Sequence, residues 1–85
     1  MRPYNDIETS QFIYREFTQD IPEDELVWHR DRRDRRVTVL NETDWQFQFD
    51  NETPQLLKDT IFIPKSKYHR VIKGTGNLYL QIEEL

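Results

Sequence analysis

The chain has no cysteine, two glycines and a single methionine in 85 residues. Without cysteine no disulfide can brace it, so packing, a metal or a partner chain must hold a domain near the lower size limit of unassisted folding. Both glycines lie in Gly74-Thr75-Gly76, so a backbone with positive φ is expected in that turn above all. No apolar run approaches the roughly 20 residues that a membrane-spanning helix needs. The first segment, MRPYNDIETS, has no apolar stretch after its Arg and does not read as a secretory signal. A cytoplasmic protein with no membrane partner is the expectation. An excess of positive charge is also missing. The formal net charge of −4 argues against a general nucleic-acid binder, because duplex affinity rests largely on neutralised phosphates.

No segment sustains a 3.6-residue period over ten residues. Instead the chain carries two Trp, four Tyr and five Phe, most in short alternating runs, which sets it apart from disordered chains of similar polarity. Residues 1–10 are expected to be a flexible lead and residues 11–85 one folded domain. FIYREF (12–17) has no clearly polar face, so both sides are expected to be partly covered. IPEDE (21–25) is a Pro-led acidic connection with room for one helical turn, and ELVWH (25–29) reads as a strand. VTVL (37–40) and WQFQFD (45–50) are joined by NETD, a length and composition that suit a hairpin. Within WQFQFD, Trp45, Phe47 and Phe49 share one face and Gln46 and Gln48 the other, because side chains alternate across a strand. A second turn, NETP (51–54), leads to TIFIP (60–64). YHRVIK (68–73) then turns through the glycines into NLYLQIEE (77–84), where Leu78, Leu80 and Ile82 form one apolar row. Short strands with regular turn signals predict an all-β barrel or sandwich.

The stretch from Lys58 to Val71, KDTIFIPKSKYHRV, resembles the second motif of the cupin superfamily. It has a short strand ending in Ile63-Pro64, a tight turn, and a strand bearing His69 five residues after the proline, with Asp59 opening the first strand. Upstream, VWHRDRRDRRVTVL has the cadence of the first cupin motif, in which His-x-His is followed by a Glu and a Val-rich strand. The resemblance covers roughly residues 25–83 and implies a small single-domain cupin-like β-barrel of the jelly-roll, or double-stranded β-helix, type. A fainter similarity to short cupin-like proteins of cyanobacteria and their phages would bear on source rather than on activity.

Carried over residue by residue, the resemblance matches His29 to the first metal ligand and His69 to the last. Asp31 stands in place of the second His, and Arg35 or Arg36 falls where the Glu belongs. A guanidinium has no lone pair to offer a cation, so the four-ligand set is not reproduced. The second motif also has Lys58 for its first Gly, Ser66 for its turn Gly and Lys73 for its Asn. What remains is His29-x-Asp31 with His69. Residues two apart on a strand point the same way, and two His with one carboxylate is the donor composition of non-haem iron sites with open coordination positions. Iron, manganese or zinc are the divalent metals this implies. The plainer reading leaves His69 packed at the barrel mouth, hydrogen-bonded to a carbonyl or to Asp31, with His29 a half-buried strand residue.

Arg30, Arg32, Arg33, Arg35 and Arg36, interrupted only by Asp31 and Asp34, form a basic island in an acidic chain. Arg forks recognise carboxylates and phosphates, so a polar or anionic small ligand is expected in a barrel mouth lined by Gln46, Gln48, Arg35, Arg36 and Tyr68 beside the histidines. Alternatively these arginines are solvated and pair with Asp31, Asp34 or the acidic residues 23–25. No aromatic interrupts 29–36, which leaves no stacking platform for single-stranded nucleic acid. The aromatics exceed what a barrel this small would hide, and with an open edge strand they favour a homodimer. An enzyme of this type would be an iron-dependent oxygenase or an isomerase, though no nucleophile or acid/base pair stands out. The competing class is a non-catalytic interaction or accessory module, viral or host-associated, on the same scaffold.

Overall fold

The computed structural model describes residues 4–85. Eight strands follow in order: β1 (Asn5–Glu8), β2 (Ile13–Phe17), β3 (Arg35–Val39), β4 (Gln46–Phe49), β5 (Gln55–Leu56), β6 (Thr60–Ile63), β7 (His69–Ile72) and β8 (Leu78–Glu84). A single 3-10 turn, Glu23–Glu25, lies between β2 and β3. Among the described residues there is no α-helix, and no helix is long and apolar enough to cross a membrane. Five strands form one sheet in the order β1-β2-β8-β3-β6 and three form another in the order β5-β4-β7. All the pairings are antiparallel.

Alternation in the sequence decides which side chains enter the space between the sheets. Trp45, Phe47 and Phe49 are buried, as are Leu78, Leu80 and Ile82, while Gln46, Gln48 and Gln81 point away from that core. With Phe17, Val37, Leu57 and Ile63 these residues make one apolar cluster shared by both sheets. Each buried side chain of this size contributes about 1.5–3 kcal/mol through loss of apolar surface to water. β2 behaves as its mixed pattern predicts, with four half-covered residues before buried Phe17.

Three expectations from the sequence are revised. ELVWH is not a regular strand: Glu25 and Leu26 donate their N–H groups to the carbonyls of Pro22 and Glu23, which holds the segment in a 3-10 turn, and His29 alone reaches the sheet as an isolated bridge to His69. NETD does not close a hairpin, because β3 and β4 belong to different sheets. Its side chains clamp onto the turn before β8: Asn41 bonds both the Asn77 carbonyl and the Tyr79 N–H, and Asp44 accepts from Thr75. Third, four residues of the expected flexible lead form β1, with Asp6 opposite Arg15. Asp6 receives a two-pronged Arg15 contact at 2.8 and 3.0 Å, and the guanidinium lies 3.7 Å from the Tyr4 ring centroid. NDIE has one apolar residue, so alternation could not announce a strand fixed by an ion pair. Residues 1–3 of that lead lie outside the described residues.

Candidate metal centre

The two histidines meet. The N–H of His29 donates to the carbonyl of His69 at 3.0 Å, and that of His69 donates back at 2.9 Å. Residues that exchange both bonds are directly opposed, with side chains on the same face. The rings accordingly stand edge to face with centroids 4.3 Å apart. His69 is 3% exposed and stacks on Phe47 at 5.4 Å, whereas His29 is half exposed at the mouth of the site.

Backbone carbonyls fix which nitrogen faces inward. Nδ1 of His29 lies 3.2 Å from the Val27 oxygen and Nδ1 of His69 lies 2.9 Å from the Lys67 oxygen. A carbonyl only accepts, so Nδ1 is the donor in each ring, and in the neutral imidazole Nε2 is then a bare lone pair. Asp31, two residues after His29, turns its carboxylate to the same point. Its Oδ1 is 3.9 Å from His29 Nε2 and its Oδ2 is 3.4 Å from His69 Nε2. Buried Oδ2 has no hydrogen-bond partner, 3.4 Å from His69 Nε2 being longer than a formed hydrogen bond.

Burial and neighbouring groups shift two of the three residues. Burial, and then the neighbouring His69, push the His29 pKa below the ordinary histidine value, against the opposing pull of the Val27 carbonyl and Asp31. Burial raises the Asp31 carboxyl, but His69, Arg35 and His29 outweigh it and leave the group below the usual carboxylate value. One atom from each of His29, Asp31 and His69 lies within 4.8 Å of the others. Converging lone pairs, outer nitrogens anchored on carbonyls and an unmatched carboxylate oxygen form a group that could hold a metal ion. A divalent ion fits these residues.

Turn geometry brings the two halves together. Ser66, at the position where the cupin resemblance has Gly, adopts φ +66°; its N–H donates to the Asp31 carbonyl at 2.8 Å. Asp34 accepts from the Lys65 N–H, and its own carbonyl receives the Leu85 N–H. The Arg-rich run is thus strapped down by its two aspartates. Asp34 and Ser66 are positioning residues that spacing arguments do not single out; the sequence shows only that Ser66 stands where the cupin resemblance has its turn Gly.

The triad opens into a cavity of about 220 Å³ between the sheets, walled by apolar side chains such as Phe47, Ile61, Val71 and Leu80. Of the ligand-binding residues expected from sequence, Arg35 lines it. Gln46, Gln48, Arg36 and Tyr68 do not. Gln48 faces the outside of its sheet, where it accepts from Arg70 and donates to the Glu52 carbonyl. Gln46 shares that outward phase. Arg36 pairs with Glu83, and Tyr68, 43% exposed, carries Arg30 over its ring. Alternation is the physical reason: the aromatic face of β4 took the interior, which put both glutamines outside.

No protein-family model matches the chain, and no curated protein matches its sequence. Solved structures do match. A cupin-2 domain protein from Shewanella frigidimarina aligns with a TM-score of 0.64 and 20% identity over 96% of this chain and 79% of that one. Hydroxypropylphosphonic acid epoxidase from S. wedmorenis, in complex with fosfomycin, aligns with a TM-score of 0.68 and 20% identity over 96% of this chain and 50% of that one. Fe(II) HppE in complex with substrate gives a TM-score of 0.67 and 16% identity over 96% of this chain and 52% of that one. The chain thus spans about half the length of the epoxidase in both of these structures. The protein has a cupin-like fold; the fainter similarity to cyanobacterial and phage proteins finds no support among these structures.

Proposed function

We propose that this protein binds a divalent metal ion through His29, Asp31 and His69 and holds a small polar or anionic ligand beside it. The observation that carries this reading is the convergence of two imidazole lone pairs and a carboxylate, with an unmatched buried Oδ2. Fold neighbours solved with iron(II) or cobalt(II), namely hydroxypropylphosphonic acid epoxidase, lend it support. Iron, manganese or zinc suits the donor set, and such an ion would supply Lewis acidity with coordination positions left open. The chain's own contribution is to fix the donors on paired backbone, to keep bulk water from a mostly apolar cavity and to place Arg35 next to Asp31.

Metal analysis of the purified protein, followed by titration with Co(II), tests this. One ion per chain is expected. His29→Ala and His69→Ala should each weaken binding by more than the roughly 10–100-fold lost with an outer-shell hydrogen bond. A protein that takes up no metal and is indifferent to both changes would remove the reading. That outcome would favour a non-catalytic interaction module instead. The feature supporting that second class is the outer face of the smaller sheet, where Arg70 lies 4.7 Å from the Trp28 ring centroid and Arg30 5.3 Å from that of Tyr68.

A further inference from the structure

Arg35 is the residue that the metal reading leaves unexplained. It extends from β3 into the cavity wall with 16% of its side chain exposed. One Nη sits 3.4 Å from Asp31 Oδ1 and the other donates to Glu84 Oε2 at 3.1 Å. Its Nε is buried with no hydrogen-bond partner. A buried donor left unmatched is destabilising, and more so when it is charged. A guanidinium this close to a ligating carboxylate also works against a cation held there.

The charges around the cavity define what is missing. Arg15 is matched by Asp6 and Arg35 by Asp31 and Glu84, while Glu25, which also lines the cavity, belongs to the solvent-exposed acidic turn. A divalent ion on the triad would share its one carboxylate with Arg35, leaving an excess of positive charge in an apolar enclosure. Such an excess is costly in low dielectric unless an anion accompanies it. The free volume is about 220 Å³, below the roughly 300–1,000 Å³ of pockets for drug-sized ligands, and its walls are mainly aliphatic and aromatic.

Building on the proposed metal reading, we infer that Arg35 couples metal binding to a small carboxylate carried on an apolar body. The carboxylate accepts from the guanidinium and offsets the surplus charge, and its hydrocarbon part lies against the walls near Ile61, Val71 and Leu80. Binding is then reciprocal, with metal and carboxylate each tightening the other by the same factor.

Co(II) titration of the full chain in the presence and absence of acetate, isovalerate or benzoate, with isovaleramide as the uncharged counterpart, tests the coupling. Isovalerate or benzoate should tighten Co(II) binding by about tenfold, a coupling in the usual range, and isovaleramide should leave it unchanged. Arg35→Gln should bind Co(II) severalfold more tightly than wild type without carboxylate and lose the carboxylate dependence, whereas Arg35→Lys should retain part of it. Should Arg35→Gln fail to fold, the carboxylate and amide comparison in wild type still decides. Co(II) affinity in wild type that none of the three carboxylates alters, or coupling that survives in Arg35→Gln, overturns the inference while the triad stands. Absence of any Co(II) binding by wild type overturns both.

Discussion

Trp45 is fully buried, packs at a tilt against Phe17 with centroids 5.9 Å apart and donates its indole N–H to the Gly76 carbonyl at 3.1 Å. It therefore does two things at once: it fills the core at the start of β4 and ties that strand to the turn leading into β8. Trp45→Phe removes the donor and leaves a small void. The orphaned carbonyl alone should cost about 1–3 kcal/mol, and Trp45→Ala about 3–5 kcal/mol, both read as a lower urea midpoint with unchanged m-value. His69 shows the same economy. Its ring packs on Phe47, its Nδ1 is tied to the Lys67 carbonyl, and Nε2 faces Asp31 Oδ2 at 3.4 Å.

The clasp between residues 41–44 and 74–77 replaces the hairpin that the sequence suggested. Asp44 accepts from the Thr75 N–H at 2.7 Å and from its hydroxyl at 2.9 Å. A Cβ on Gly74 would fall 2.3 Å from Asp44 Oδ1 and 2.7 Å from the Trp45 nitrogen, so close approach, rather than positive φ, demands glycine there. Gly76, with φ +70°, supplies the left-handed residue. The Thr75 N–H, and then its hydroxyl, hold the Asp44 carboxyl below its ordinary value of 3.8. A carboxyl depressed by folding contributes stability that is complete above its unfolded pKa and disappears as pH falls through the folded one. Asp44→Asn should therefore be less stable than wild type at pH 6, with the gap closing below about pH 4. Thermal midpoints of the two proteins across that range check this; a gap that persists at pH 2 would mean that charge on Asp44 contributes nothing.

At the scale of the whole molecule, a domain of 85 residues without a disulfide has little stability to spare. His29 and Asp31 come from the irregular segment before β3, and His69 from β7. An ion on the triad would cross-link a loop to the smaller sheet, next to the strap formed by Ser66 and Asp34. Ligand linkage makes this measurable: free metal at 100 times its dissociation constant stabilises by about 2.7 kcal/mol. In a domain of about this size each kcal/mol moves the melting temperature by roughly 4–8 °C. Scanning calorimetry with Co(II) should therefore show a rise of about 10–20 °C in wild type, with most of it lost in His69→Ala; an unchanged midpoint would mean that no ion joins the two segments.

The sequence by itself determined the all-β class, the two distinct faces of β4, the apolar row of β8, the left-handed turn at Gly76 and the spacing that links His29, Asp31 and His69. These follow from local rules: alternation on a pleated strand, the freedom of glycine, and the fixed reach of residues two apart. Tertiary structure alone decided which sheet each strand joined, so the expected hairpin at 41–44 became a crossover. It also decided that Gln46 and Gln48 face outward, because the aromatic side of the same strand had first claim on the core, and that NDIE pairs with β2 as a strand, with Asp6 and Arg15 bridged across the pair. Above all, only the folded chain could show that Arg35 stands against Asp31 while Arg36, its neighbour, points to Glu83. One residue of strand phase separates a cavity wall from solvent, and that phase is set by pairing with β6 and β8.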